Sequence, residues 1–249
     1  MSTHLSIVTG ASRGLGRAVV DALLARGHQV IGVARRAPES LPAPHARHYL
    51  HWSADLADAR AVSAQLEAWL REQGPAAFAS LQLINNAGVV SRLAPASDVD
   101  ADDLAHAIRV GLEAPLLLSS AFLRATRGWT APRKLLLVSS GLGRRAMAGS
   151  ASYCAAKAGM DHLARALALE EAAQPQGARV VSLAPGVIDT DMQLQLRSAD
   201  AQAFPERERF IGLQTGGLLD SPATAAAKLL AYLDRADFGA NPVADVRDA

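Results

Sequence analysis

Short apolar runs alternate with helical patterns along almost the whole chain, and that alternation leaves few folds open. The runs Leu5–Thr9, Gln29–Ala34, His48–Trp52, Leu81–Asn85, Lys134–Ser139, Arg179–Ala184 and Val243–Val246 read as strands. Between most of them lie amphipathic stretches: Gly14–Ala25, with Gly27 suited to its end; Ala57–Gln73, stopped by Gly74-Pro75; a long pattern over Asp102–Thr126; and Ala151–Ala173. Ser221-Pro222 opens another helix, with Ser as cap and Pro in the first turn, and Pro38–Pro44 reads as a loop. Strands that are apolar throughout are buried on both faces, which calls for a parallel sheet covered by helices on each side and joined by right-handed crossovers. Ligands of such sheets bind beyond the carboxyl ends of the strands.

Size and composition agree with a single α/β domain over residues 1–249. Half of the residues are hydrophobic but only 4% are aromatic, so Ala, Leu and Val must fill the interior. The net charge is +1 and the 25 basic residues are scattered, so no electrostatic footprint for nucleic acid is present. No apolar run of about 18 residues is available to span a membrane. The single cysteine, Cys154, excludes an internal disulfide and reads as a packing residue. Met1-Ser2-Thr3-His4 runs directly into the first strand with no leader pattern, so a soluble, cytoplasmic protein is expected. His45, His48 and His51 are three apart, a spacing that alternates faces on a strand, and no metal is expected.

The first strand ends in Thr9-Gly10-Ala11-Ser12-Arg13-Gly14-Leu15-Gly16. This G-x-x-x-G-x-G spacing differs from the commoner G-x-G-x-x-G, but the physics is shared. Glycines let the backbone turn tightly and approach a pyrophosphate, and the N-terminus of the following helix favours the anion. The expected fold is therefore a single Rossmann-like, doubly wound parallel sheet of about seven strands. An acid at the end of strand two would hold a free ribose 2′-hydroxyl and repel a 2′-phosphate. That position reads Ala34-Arg35-Arg36, and Arg13 adds a third guanidinium, so NADPH/NADP is the expected cofactor. Asp55-Leu56 follows strand three; the carboxylate is placed to accept the adenine amino group or to cap the next helix, roles that are compatible.

Tyr153 and Lys157 are four residues apart in a helical pattern and share one face. An ammonium beside a phenol stabilises the phenolate and moves its pKa toward the working range. Ser140, thirteen residues upstream and just past the fifth strand, is placed to hydrogen-bond a carbonyl oxygen as charge develops on it. Arg144 and Arg145 follow the same strand, either as a solvated loop or as a bias toward polar or anionic substrates.

With these residues in view, the chain resembles the short-chain dehydrogenase/reductase family over nearly its whole length. The likeness rests on the Gly10–Gly16 turn, Asn85-Asn86-Ala87-Gly88, Ser140, Tyr153-x-x-x-Lys157 and Pro185-Gly186. It implies that Tyr153 is the acid/base, that Lys157 holds the ribose and tunes Tyr153, and that Ser140 orients the substrate. It implies further that Asn86-Ala87-Gly88 lines the cofactor cleft and that Thr190 binds the nicotinamide carboxamide. The cofactor set then comprises Gly10, Ser12, Arg13, Gly14, Leu15, Gly16, Arg35, Arg36, Asp55, Leu56, Asn86, Ala87, Gly88, Tyr153, Lys157, Pro185, Gly186, Val187, Ile188 and Thr190. The stretch Pro185–Gln193, the Tyr153–Lys157 segment and the tail around Gly239–Val246 are similar to sepiapterin reductase and bacterial benzil reductases. That subgroup implies NADPH-linked reduction of a vicinal dicarbonyl or of a pteridine side-chain ketone to the alcohol. Hydroxysteroid or 3-oxoacyl ketone reduction is the alternative within the family.

One position departs from the family pattern. Val110-Gly111-Leu112-Glu113-Ala114-Pro115 carries Gly111 where the family has an Asn tied to a helix kink and to a bound water in the proton relay. Glycine removes the amide and costs roughly 1 kcal/mol of helix propensity relative to Ala. A working but slower enzyme is expected, a catalytically weak NADPH sensor being the alternative. Residues 191–213 mix Met192, Leu194, Leu196, Phe204 and Phe210 with charges and read as a lid over the substrate. By resemblance, the helices Asp102–Thr126 and Ala151–Ala173 pair across a two-fold axis, so a homodimer or homotetramer is expected.

Overall fold

A computed structural model of the chain describes residues 3–41 and 43–248. Pro42, inside the loop expected over Pro38–Pro44, lies outside the described residues. Among the described residues seven strands join in one parallel sheet: β1 (His4–Thr9), β2 (Gln29–Ala34), β3 (Tyr49–Ser53), β4 (Ser80–Asn85), β5 (Arg133–Val138), β6 (Arg179–Ala184) and β7 (Val243–Asp245). Their spatial order is β3-β2-β1-β4-β5-β6-β7, so the winding reverses between β1 and β4. The Rossmann-like, doubly wound sheet expected from the alternation is the one observed.

Side-chain alternation on the strands divides the core between two faces. Ile7, Leu83, Leu135, Leu137 and Val180 face one way, against α3 (Ala59–Gln73), α5 (Ala114–Ala125) and α6 (Ala151–Ala172). Val8, Ile84, Leu136, Val138 and Val181 face the other way, against α1 (Gly14–Ala25) and α9 (Pro222–Asp234). Each fully buried Leu or Val contributes about 1.5–3 kcal/mol relative to exposure, so the two rows fix both register and layer order. Ser221 caps α9 as expected, its hydroxyl accepting from Thr224 N at 3.1 Å.

Three expectations are corrected. The loop read over Pro38–Pro44 gives way to a single helical turn, α2 (Ala43–Ala46), which ends before His48. The helix read from Ala57 opens with a 3₁₀ turn, Leu56–Asp58, because Asp55 accepts from Ala57 N at 3.0 Å and tightens the entry. The long pattern Asp102–Thr126 is not one helix. It is α4 (Ala101–Ile108), a π turn over Arg109–Glu113 and α5, with Gly111 and Val110 buried in the turn. Periodicity cannot register this break, because one inserted residue leaves apolar positions on both sides of the turn in near-helical spacing. Residues 191–213 form most of a helix pair, α7 (Asp191–Ser198) and α8 (Arg207–Thr215), and Leu93, Met147, Leu196, Phe204 and Phe210 make a third small core beneath it.

Candidate active site

The crevice at the β1/β4 reversal is built largely from main chain. β1 ends at Thr9, and the next residues turn through Gly10 (φ +66°) and Gly14 (φ +55°) into α1. Both angles lie in the left-handed region that side chains resist. Gly16 is needed for a different reason: a Cβ there would stand 2.2 Å from the carbonyl oxygen of Gly10. Leu15 is buried behind the turn and Ser12 is half-buried beside it. Helix α1 starts with no capping side chain and no acidic residue in its first turn, so its first amides face the crevice with only their own positive end of the dipole.

The Asn86–Gly88 segment lies against this turn, but its amide does structural work. Asn86 Nδ2 donates to the Thr9 carbonyl at 2.9 Å and to the Gly10 carbonyl at 3.4 Å. Thr9 Oγ1 in return accepts from the backbone N–H groups of Asn86 (2.9 Å) and Ala87 (3.0 Å). Asn86 thus staples the glycine turn to the end of β4. Gly88 closes on the other side, where an added Cβ would lie 3.5 Å from Lys157 Nζ.

Along the crevice, Arg35 and Arg36 leave the end of β2 exposed, and among the described residues neither guanidinium has a carboxylate partner. Leu56 is buried behind Asp55. Arg13, on the glycine turn itself, has a carboxylate partner where Arg35 and Arg36 have none. It reaches across the crevice and pairs with Asp191 at 2.5 Å, both side chains being exposed. The opposite wall follows β6. Pro185 is buried, Gly186 turns with φ +85°, and Val187 and Ile188 pair with Asp220 through the backbone. Thr190 then precedes α7 without capping it, and its methyl would stand 3.5 Å from a Cβ on Gly14.

Helix α6 carries Tyr153 and Lys157 on successive turns beside the ends of β4 and β5. Lys157 is buried; its Nζ donates to the Val138 carbonyl at 2.7 Å and lies 5.5 Å from the centre of the Tyr153 ring. Burial pulls the Lys157 ammonium down to about 8, against the attraction of Asp161. Burial also pushes the Tyr153 phenol up to about 12, with the Ser140 hydroxyl opposing it; this corrects the expected shift toward the working range, because desolvation of the phenol dominates. The part-buried Ser140 follows β5, extended at φ −155°, and its oxygen accepts from Leu142 N at 3.2 Å, capping the 3₁₀ turn Gly141–Gly143. The structure therefore brings Ser140, Tyr153 and Lys157 to one end of the crevice.

Gly111 sits in the π turn with no room to spare: a Cβ there would stand 3.0 Å from the Cβ of Ala156 on α6. The kink that the family associates with an Asn is present here with a glycine, and close packing of the π turn on α6 gives a physical reason for the small residue.

Sequence reasoning missed the buried polar group next to this site. Asp161 lies one turn beyond Lys157 and is 2% exposed. It receives hydrogen bonds from Ser139 Oγ (2.6 Å), Ser182 Oγ (2.7 Å) and Arg144 Nε (3.2 Å). The signal was available. An acid at four-residue spacing after Lys157, between the core residues Met160 and Ala164, requires partners.

Comparisons agree with this geometry. The family model described as short chain dehydrogenase matches residues 5–201. A benzil reductase ((S)-benzoin forming) of Bacillus cereus is 31% identical over 235 residues, covering 93% of this chain and 94% of that one. An NADPH-dependent pterin aldehyde reductase of Arabidopsis thaliana is 31% identical over 194 residues, 75% of each chain. A solved short-chain dehydrogenase/reductase from Burkholderia vietnamiensis is 35% identical, covers 99% of this chain and 98% of its own, and superposes with a TM-score of 0.69. No helix among the described residues is long and apolar enough to cross a membrane. The chain thus belongs to the short-chain dehydrogenase/reductase family, and it is an NAD(P)-binding oxidoreductase acting at C=O and CH–OH groups.

Proposed function

We propose that the protein reduces a ketone, and in particular a vicinal diketone, to the alcohol with NADPH, Tyr153 delivering the proton. The observation that carries this reading is the convergence of Ser140, Tyr153 and Lys157 at the end of a crevice floored by the Gly10–Gly16 turn. The residues present fit a dinucleotide. Two left-handed glycines and an uncapped helix start leave backbone N–H groups for the pyrophosphate. The exposed pair Arg35 and Arg36, with no acid at the end of β2, suits a 2′-phosphate. Ser12, Arg13, Asp55, Leu56, Ala87, Gly88, Val187, Ile188 and Thr190 line the rest of the assigned path. When bound, the reduced nicotinamide supplies the hydride taken up by the carbonyl carbon.

The chain's own residues supply the other half of the reduction. Ser140 donates a hydrogen bond to the carbonyl oxygen and holds it beside the phenol. As negative charge grows on that oxygen, Tyr153 gives up its proton to it. The phenol, pushed up to about 12 in the protein alone, stays protonated at neutral pH and is available as donor. Lys157, held near 8, is charged below that pH and stabilises the phenolate left behind. The apolar cluster of Leu93, Met147, Leu196, Phe204 and Phe210 beneath α7 and α8 supports a substrate with bulky apolar flanks, and we assign residues 191–213 as the lid over it. The groove of about 570 Å³ between α4 and α6, lined by Leu104, Ala105, Ile108, Ala151 and Ala155, supports a second copy docking there as a homodimer, alone or within a homotetramer. The cytoplasm is the compartment assigned.

A panel of 1,2-diketones, pterin ketones, aldehydes and secondary alcohols, run with NADPH and with NADH, tests the assignment. Turnover of diketones with NADPH is the expected result. Tyr153→Phe should lower kcat by about 10²–10⁴-fold while dinucleotide affinity, read by fluorescence, changes by less than about threefold. Full turnover in the phenylalanine variant would remove Tyr153 from the chemistry.

A further inference from the structure

Tyr153, Lys157 and Asp161 occupy positions i, i+4 and i+8 of α6 and so form one stripe along the helix. The first two enter the assigned site; the third is buried in the layer between α6 and the sheet. Ser139 continues the row Leu135-Leu137 that faces α6, and Ser182 continues the row begun by Val180. Where those rows reach the strand ends they turn from apolar to hydroxyl, and both hydroxyls point to one oxygen of Asp161, at 2.6 and 2.7 Å. Ser139 is the residue before Ser140. The carboxylate therefore ties β5, β6 and α6 together at the strand end from which Ser140 projects.

The second carboxylate oxygen leads outward. Arg144 Nε donates to it at 3.2 Å, Arg144 Nη2 donates to the Ala244 carbonyl at 2.9 Å, and its Nη1 lies 3.7 Å from Asp245. Asp245 in turn holds Arg247 through two side-chain contacts, and that guanidinium keeps the Asp245 carboxyl below the usual range. The turn between Ser140 and Arg144 is shaped to admit this contact. A Cβ on Gly143 would stand 2.7 Å from Asp161 Oδ2 and 2.9 Å from the Lys157 carbonyl. The charged and titratable groups around the stripe are thus Tyr153, the neighbouring thiol of Cys154 and Lys157 on α6, Arg144 on the turn after β5, and Asp245 and Arg247 on the tail. β6 contributes the neutral Ser182, and Gly88 after β4 contributes no charge.

We infer that Asp161 is a positioning residue for carbonyl reduction, fixing the Ser139-Ser140 strand end and setting a negative charge one helical turn from the Lys157 ammonium, with Arg144 moderating that charge and linking it to the C-terminal strand. This rests on the roles proposed above for Tyr153, Lys157 and Ser140. Burying a carboxylate is costly unless its bonds are met, and here three donors meet them. A charge so placed acts on Lys157 with little solvent between them, which is the attraction that opposes burial of the ammonium.

The chain has three lysines, Lys134, Lys157 and Lys228, so Lys157 is resolvable by NMR of protein carrying ε-¹³C lysine. In the dinucleotide-free wild type its signal should titrate near 8. Asp161→Asn keeps an oxygen for Ser139 and Ser182 but removes the charge, and should move that titration down by roughly one pH unit. The alkaline limb of kcat should move the same way, a loss of about fivefold near pH 8, with little change in KM for the ketone or at pH 6. Arg144→Met leaves the carboxylate less neutralised and should move both titrations up. Opposite shifts in the two variants are the signature; a loss of packing alone does not produce it. Titrations of both variants that match the wild type overturn the inference. If Asp161→Asn does not fold, Arg144→Met decides: an upward shift upholds the inference and an unmoved one overturns it. Tyr153→Phe, run alongside, separates the two levels of argument, since full turnover there defeats the catalytic assignment whatever the lysine does.

Discussion

The two halves of the sheet build their parts of the crevice by different means. From β1 to β3 the crevice wall is mostly backbone, with left-handed glycines, an uncapped helix start and exposed arginines with few side-chain partners. From β4 to β7 it is side chain. A phenol, an ammonium and a hydroxyl stand beside a clamp of Asp161, Ser139, Ser182 and Arg144, most of it buried. A backbone site depends on where atoms are excluded, so a single added carbon is its weak point. A side-chain site depends on charges and donors in a low-dielectric layer, so its weak point is an unmet polar group. Binding and chemistry should therefore fail separately, and each can be attacked where the other is robust.

The largest effect is expected in the backbone half. Gly16→Ala would set a methyl into the Gly10 carbonyl and force the turn apart, and dinucleotide affinity by fluorescence titration should fall at least about 100-fold. Affinity within a few-fold of the wild type would show that the turn has slack the contrast denies. A smaller effect is expected from removing charge without touching the turn. Replacing Arg35 and Arg36 together by Ala should cut the preference for NADPH over NADH by about tenfold or more, with NADH kinetics nearly unchanged. An equal loss for both cofactors would mean that these side chains do not meet the 2′-phosphate. The smallest lies in the other half. Gly111→Ala gains helix propensity but presses on Ala156, a net cost of about 1 kcal/mol, and should lower the melting temperature by roughly 2–4 °C with binding untouched. An unchanged or higher melting temperature would show that α6 can yield at that contact.

The same contrast explains what could be read before any coordinates. Backbone requirements leave marks in sequence, because only glycine tolerates the geometry; Gly10, Gly14 and Gly16 therefore stood out, as did the strand rows that alternate between two cores. Tyr153 and Lys157 were legible as a pair because both lie on one helix at one spacing. The clamp on Asp161 was not legible, since its partners come from Ser139, Arg144 and Ser182, which only the sheet brings together. The π turn over Arg109–Glu113 was hidden for a related reason: it depends on the close approach of Ala156, forty-five residues past Gly111. The hold of the Asn86 amide on Thr9 and Gly10 was not legible either, because only the pairing of β1 with β4 brings them together.

That last attachment constrains how a dinucleotide gets in and out. Four hydrogen bonds between Thr9-Gly10 and Asn86-Ala87 make the glycine turn and the end of β4 a single rigid jaw. The facing wall turns at Gly186 (φ +85°), and the solvent-exposed pair of Arg13 and Asp191 bridges it to the first as a latch. Such a latch is weak, and salt loosens it. A dinucleotide that enters past this pair should accordingly load and unload faster as ionic strength rises, a dependence that stopped-flow fluorescence reads directly.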